Sequence, residues 1–114
     1  KEVFQEIGFL DNDYFLYYED ADFSFRAYMA GFKILYEPKS KIYHKISSSS
    51  GAGSKLHDYY LTRNRLLFGY KYASARTKFA LFRQSITKIL TGRPGEKQGN
   101  LDYYRKKLGK GNIL

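Results

Sequence analysis

A nearly unbroken aromatic and apolar run, Tyr14-Phe15-Leu16-Tyr17-Tyr18, leads directly into Glu19-Asp20-Ala21-Asp22 and then Arg26. The run is expected to be buried. Three carboxylates within four positions suit a helix N-terminus, where free backbone N–H groups and the helix dipole favour negative charge. An ionised carboxylate in such a place can accept a proton or sit near a metal. The same acids would also serve as an ordinary capping first turn, and local pattern alone leaves both readings open. Phe23, Ala27 and Ala30 line one stripe with Met29 beside it, so a helix is expected from about Asp20 to Ala30, with Gly31 as its stop.

Around this stretch the elements follow by period and punctuation. Val3, Phe4 and Ile7 have helical spacing and end at Gly8, before the turn cluster Asp11-Asn12-Asp13. Phe32–Tyr36 reads as a strand, Glu37-Pro38-Lys39-Ser40 as a turn, and Lys41–Ile46 as a second strand with Ile42, His44 and Ile46 on one face. The sequence leaves open whether these strands pair. Ser47–Ser54 is a low-complexity Ser/Gly loop; it could cradle a phosphate, but a lone Gly-Ala-Gly fits a plain connection better.

From Leu56 the pattern is helical again through Tyr59, Tyr60, Leu67 and Tyr70, with a break or bend at Ala73-Ser74-Ala75. Phe79, Phe82, Ile86, Ile89 and Leu90 form a further stripe opposed by Arg76, Lys78, Arg83 and Lys88. Such a helix can pack on its own domain or lie on an anionic membrane, and the pattern does not choose. Gly92-Arg93-Pro94-Gly95 ends it, and one short helix is expected near Leu101–Leu108. The Ser/Gly loop is the best boundary in the chain, dividing 1–54 from a basic helical extension, 55–114, that packs on the same unit.

Charge sharpens that division. Residues 1–54 carry 6 Lys/Arg against 8 Asp/Glu, and residues 55–114 carry 14 against 3, within a net charge of +9. The first part looks like a carboxylate-bearing site and the second like a surface that meets an anion. With no cysteine in the sequence, disulfides, thiolate metal sites and a cysteine nucleophile are excluded. Nor does the sequence hold an apolar run long enough to span a bilayer. His57 beside Asp58 reads as surface or capping, and His44 on a strand face reads by default as a core residue.

The run Ile7-Gly8-Phe9-Leu10-Asp11, the aromatics after it and Glu19-Asp20-Ala21-Asp22-Phe23-Ser24-Phe25-Arg26 resemble the second half of family 2 glycosyltransferases, with their Ile-Gly-x-x-Asp and Glu-Asp-x-Asp-x-x-x-Arg elements. The similarity continues through Ala30–Pro38, Ile42-Tyr43-His44-Lys45 and Tyr59-Tyr60-x-x-Arg63-Asn64, covering roughly residues 1–72. Rhamnosyltransferase-like bacterial members, which serve polysaccharide biosynthesis, are the most similar in pattern.

The resemblance implies an α/β fold, the C-terminal part of a Rossmann-like GT-A domain, mostly helical with a few short strands. It implies an inverting transfer of sugar from a nucleotide-sugar donor to a glycan or lipid-linked acceptor. Asp20 would be the catalytic base, supported in the motif by Glu19, Asp22 and Arg26. His44 matches a metal-ligand position, for Mn²⁺ or Mg²⁺ held mostly by the missing N-terminal half. Arg63 and Asn64 would lie towards the donor diphosphate.

The family's nucleotide-binding strands are not in this sequence, and neither Asp11-Asn12-Asp13, in the turn after Ile-Gly, nor Asp20-Ala21-Asp22, in the base motif, replaces its Asp-x-Asp metal motif; the sequence also opens at Lys1 rather than a methionine. A fragment is therefore expected, inactive alone, exposing an apolar face through which it could self-associate. The expected setting is cytoplasmic, with contact at an anionic inner membrane face. The competing reading is a basic binding module for membrane or nucleic acid. Core-like spacing of most aromatics, and an acid cluster that would repel phosphate, argue against nucleic acid as a partner.

Overall fold

The computed structural model describes residues 1–43 and 53–111. Among the described residues five helices run in order: α1 (Glu2–Ile7), α2 (Glu19–Met29), α3 (Lys55–Tyr72), α4 (Ala75–Thr91) and α5 (Pro94–Tyr104). Their starts follow from local chemistry. The Ser54 hydroxyl accepts the His57 N–H at 3.1 Å to cap α3, and Ser74 accepts the Thr77 N–H at 3.5 Å to cap α4. Ala73 between them is extended, so the expected break at residues 73–75 is a true corner.

The molecule is mostly helical, and the expected α/β character is corrected: no strand occurs among the described residues. Residues 32–36 and 41–43 form no ladder, and Ile34, Leu35, Tyr36, Ile42 and Tyr43 are exposed. Strand-like composition describes a surface suited to a sheet, but a strand exists only when a neighbour supplies hydrogen bonds. Residues 44–46 of the second expected strand lie outside the described residues.

The last helix is corrected too. It starts at Pro94, seven residues before the expected start, and ends at Tyr104. Pro94 suits a first helical turn, where a missing N–H costs nothing, and the Glu96 carboxylate accepts the Arg93 N–H at 2.8 Å. The interior glycines of this helix let it dock closely. A Cβ on Gly99 would sit 2.5 Å from the Tyr59 carbonyl oxygen, and one on Gly95 would collide with the Lys55 carbonyl. The backbones of α3 and α5 therefore meet directly, and both glycines are buried. Asp102 accepts the Tyr59 hydroxyl at 3.0 Å and Asp58 pairs with Arg93 at 2.7 Å along the same seam.

Helix α4 lies across α3 and α5 through Leu81 and Ser85, the latter 2.6 Å from the Tyr104 hydroxyl. The apolar stripe read from the sequence faces elsewhere: Phe79, Phe82, Ile86 and Leu90 are exposed. The interior is polar for its size. Tyr14, Tyr59, Tyr60 and Leu66 share it with Asp22, Arg63, Asn64 and Asn100.

Candidate functional site

Asp22, fully buried in the first turns of α2, is the centre of a ring of donors. Its carboxylate accepts the Tyr72 hydroxyl at 2.6 Å, Lys71 Nζ at 2.9 Å, the Tyr14 hydroxyl at 3.2 Å and Arg26 Nε at 2.7 Å. Burial alone would raise its pKa; the hydrogen bonds from Tyr72, Lys71 and Arg26 outweigh that and hold it below its ordinary value. Lys71 also reaches Asp11 at 3.0 Å; although burial opposes its charge, the bonds to Asp22 and Asp11 raise its pKa. Tyr14 is raised first by burial and then by the Asp22 charge.

Arg26 extends this network towards α1. Its guanidinium donates to the Phe9 carbonyl at 2.7 Å and to the Ile7 carbonyl. The motif positions Asp22 and Arg26 thus orient the start of α2 from inside.

The aromatic run before α2 is a strained loop. Phe15, Tyr17 and Tyr18 all have φ between 61° and 72°, a left-handed conformation that costs about 1 kcal/mol or more per residue with a side chain. Two residues of α3 hold it. Asn64 Nδ2 donates to the carbonyls of Tyr14, Leu16 and Tyr17 at 2.7–2.8 Å. Arg63 donates to the Tyr14 and Asp13 carbonyls at 3.0 and 3.1 Å, and to those of Gly109 and Lys107 at 2.8 and 3.3 Å. Its Nε donates to Asn64 Oδ1 at 3.0 Å, and its charge lies over the Tyr59 and Tyr60 rings.

Both Arg63 and Asn64 are fully buried, and all five N–H donors of Arg63 are engaged. In this arrangement Arg63 has no donor left for a diphosphate. The pair holds the loop that presents Glu19 and Asp20.

Glu19 and Asp20 open α2 and have different surroundings. Asp20 is exposed, and its carboxylate accepts the Ala21 N–H at 2.7 Å. Glu19 Oε2 is buried without a hydrogen-bond partner among the described residues. Glu19 lines a cleft of about 400 Å³ with Leu10, Asp11, Asn12, Phe15 and Lys110. His44 lies outside the described residues, and among those described no group of three or more His, Asp or Glu side chains is gathered to hold a metal. His57 is half-buried at the start of α3, with its ring edge against Tyr17.

Sequence reasoning missed Tyr14, Lys71, Tyr72 and the carbonyl-rich segment 107–109. The signal available for Lys71-Tyr72 was position: they end α3 on the turns that follow Arg63-Asn64, and so reach the same loop. The arrangement can hold one exposed carboxylate at a helix N-terminus on a rigid, internally neutralised base. Comparison with protein-family models, curated proteins and solved structures finds no match to this chain.

Proposed function

We propose that this chain is the C-terminal, acceptor-side part of an inverting glycosyltransferase of the GT-A kind, with Asp20 as its base. The observation that supports this most is the division of labour within one short motif. Asp22 and Arg26 are consumed in internal bonds, whereas Asp20, two residues away, is exposed on the first turn of the same helix. A general base must reach its substrate while its supports stay locked.

In the proposed reaction the acceptor hydroxyl oxygen attacks the anomeric carbon of the nucleotide-sugar and its proton passes to Asp20. The bond from that carbon to the diphosphate oxygen breaks, and the nucleoside diphosphate leaves with the electron pair. A divalent cation, Mn²⁺ or Mg²⁺, would neutralise that leaving group. His44 would contribute to its ligand set, and proton transfer to Asp20 is the step assigned to the described residues.

Exposed Tyr28, Met29, Ile34, Leu35 and Tyr36 form a surface with the composition of a sheet neighbour, and the remainder of such a domain would cover it. Alone, the chain is expected to be inactive and to self-associate through this surface. A clean monomer in size-exclusion chromatography that binds no apolar dye would count against that.

The test is release of nucleotide from dTDP- and UDP-sugars by the full-length protein with candidate acceptors and Mn²⁺ or Mg²⁺, wild type beside Asp20→Asn. Asp20→Asn is expected to bind donor normally and to lose a factor of roughly 10²–10⁴ in turnover. Equal rates would remove Asp20 from the chemistry.

A further inference from the structure

The exposed side of α4 has no task in the transfer chemistry. At 3.6 residues per turn, Phe79, Phe82, Ile86 and Leu90 fall within one arc of about 80°, rotated roughly 120° from the buried Leu81–Ser85 face. All four are exposed, Phe79 at 62% and Leu90 at 69%. Arg76 and Arg83 border this arc on one side and Lys78 on the other. None of these three cations makes an ion pair among the described residues, and α4 carries no acid.

The charge around the stripe is one-signed for a structural reason. The basic part of the chain has only three acids, and each is used internally. Asp58 pairs with Arg93 at 2.7 Å, Glu96 with Lys88 at 2.7 Å, and Asp102 accepts from Tyr59 and Gln98 at 3.0 Å. The surface beside α4 therefore offers an approaching body apolar side chains and uncompensated cations.

We propose that this face of α4 docks in the plane of an anionic phospholipid surface, with Phe79, Phe82, Ile86 and Leu90 entering the headgroup–acyl boundary and Arg76, Lys78 and Arg83 meeting lipid phosphates. Charge complementarity selects an anionic partner. The aliphatic members select lipid over nucleic acid, because Ile86 and Leu90 gain from hydrocarbon and cannot stack on bases. The Leu81–Ser85 face that packs on α3 and α5 is turned roughly 120° from the stripe, so docking requires no unfolding. The inference does not rest on the transferase reading.

The test is flotation of the chain with vesicles of phosphatidylcholine, alone or mixed with phosphatidylserine, at rising salt. Wild type is expected to float with the mixed vesicles and to be released by salt. Arg76→Gln and Arg83→Gln should each weaken partition about five-fold. The double variant Phe79→Ser/Leu90→Ser should weaken it by roughly ten-fold or more. These positions are exposed, so far-UV circular dichroism and melting should match wild type.

Because the sequence has no tryptophan, Phe79→Trp provides a single reporter that does not depend on the serine variants: its emission should shift to the blue only with the mixed vesicles. Failure of wild type to float at low salt, an unshifted emission from Phe79→Trp, or equal flotation of the Phe79→Ser/Leu90→Ser variant would each overturn the proposal. Retention on a single-stranded oligonucleotide without vesicle binding would overturn it in favour of a nucleic-acid surface.

Discussion

The seam between α3 and α5 and the contact between α1 and α2 are built on different principles. At the first, glycines bring two backbones together, and buried Tyr59, Asp102 and Asp58 close the gap with specific bonds. At the second, Arg26 reaches carbonyls at the end of α1 and the Phe4 ring meets Phe9 and Phe23, while Phe9, Met29 and Leu35 face water. The basic part of the chain makes its own interior. The acidic part is held from outside itself, by Arg63, Asn64, Lys71 and Tyr72 of α3. A helix N-terminus that presents an exposed carboxylate can thus be held without a large apolar core of its own, provided that a neighbouring helix supplies the bonds.

The substitution expected to break this contrast most severely is Arg63→Met. It removes every bond from Arg63 to the 13–14 and 107–109 carbonyls and leaves those acceptors inside, at a cost of about 3–5 kcal/mol. Loss of the cooperative melting transition in circular dichroism is expected; a melting point within a few degrees of wild type would mean that the loop holds itself. Asp22→Asn is next, at about 2–3 kcal/mol, because its carboxylate is the shared acceptor for Tyr72, Lys71 and Arg26.

The same carboxylate gives a pH signature. Its pKa is lower in the folded state, so the unfolded chain binds the proton more readily. Its contribution is complete above the ordinary carboxylate range and is lost as pH falls towards the folded value. Urea midpoints should fall on acidification through that window, and Asp22→Asn should flatten this limb. An unchanged limb would assign acid sensitivity to other carboxylates.

Gly99→Ala tests the other side of the contrast. Its methyl would press on the Tyr59 carbonyl, and overpacking of about 1–3 kcal/mol is expected in chemical denaturation, without a change in the acid limb. The smallest effect is expected for Leu35→Ser. Its side chain is 83% exposed, so stability should move by less than about 0.5 kcal/mol while dye binding and self-association decline. A large loss of stability there would mean that residues 32–36 contribute to the fold.

Much of the helical framework was legible from the residues. Gly8 ends α1, the acids open α2 at Glu19 rather than Asp20, and residues 73–75 separate α3 from α4, because caps, breakers and period act over a few neighbouring positions. The grouping of Glu19, Asp20, Asp22 and Arg26 on one helix was legible for the same reason. Three matters were decided only in three dimensions. The glycines of α5 became a docking surface only where α3 lay against them. The α4 stripe left core packing and a membrane surface equally open, and only packing put Leu81 and Ser85 in the core. The bonds from Arg63 and Asn64 to the carbonyls of residues 13–17 and 107–109, about fifty positions away, had no signature in the sequence. Local chemistry determines where a helix begins and ends, but the partners of a buried donor and the covering of an apolar face depend on groups remote in sequence, and those only packing brings together.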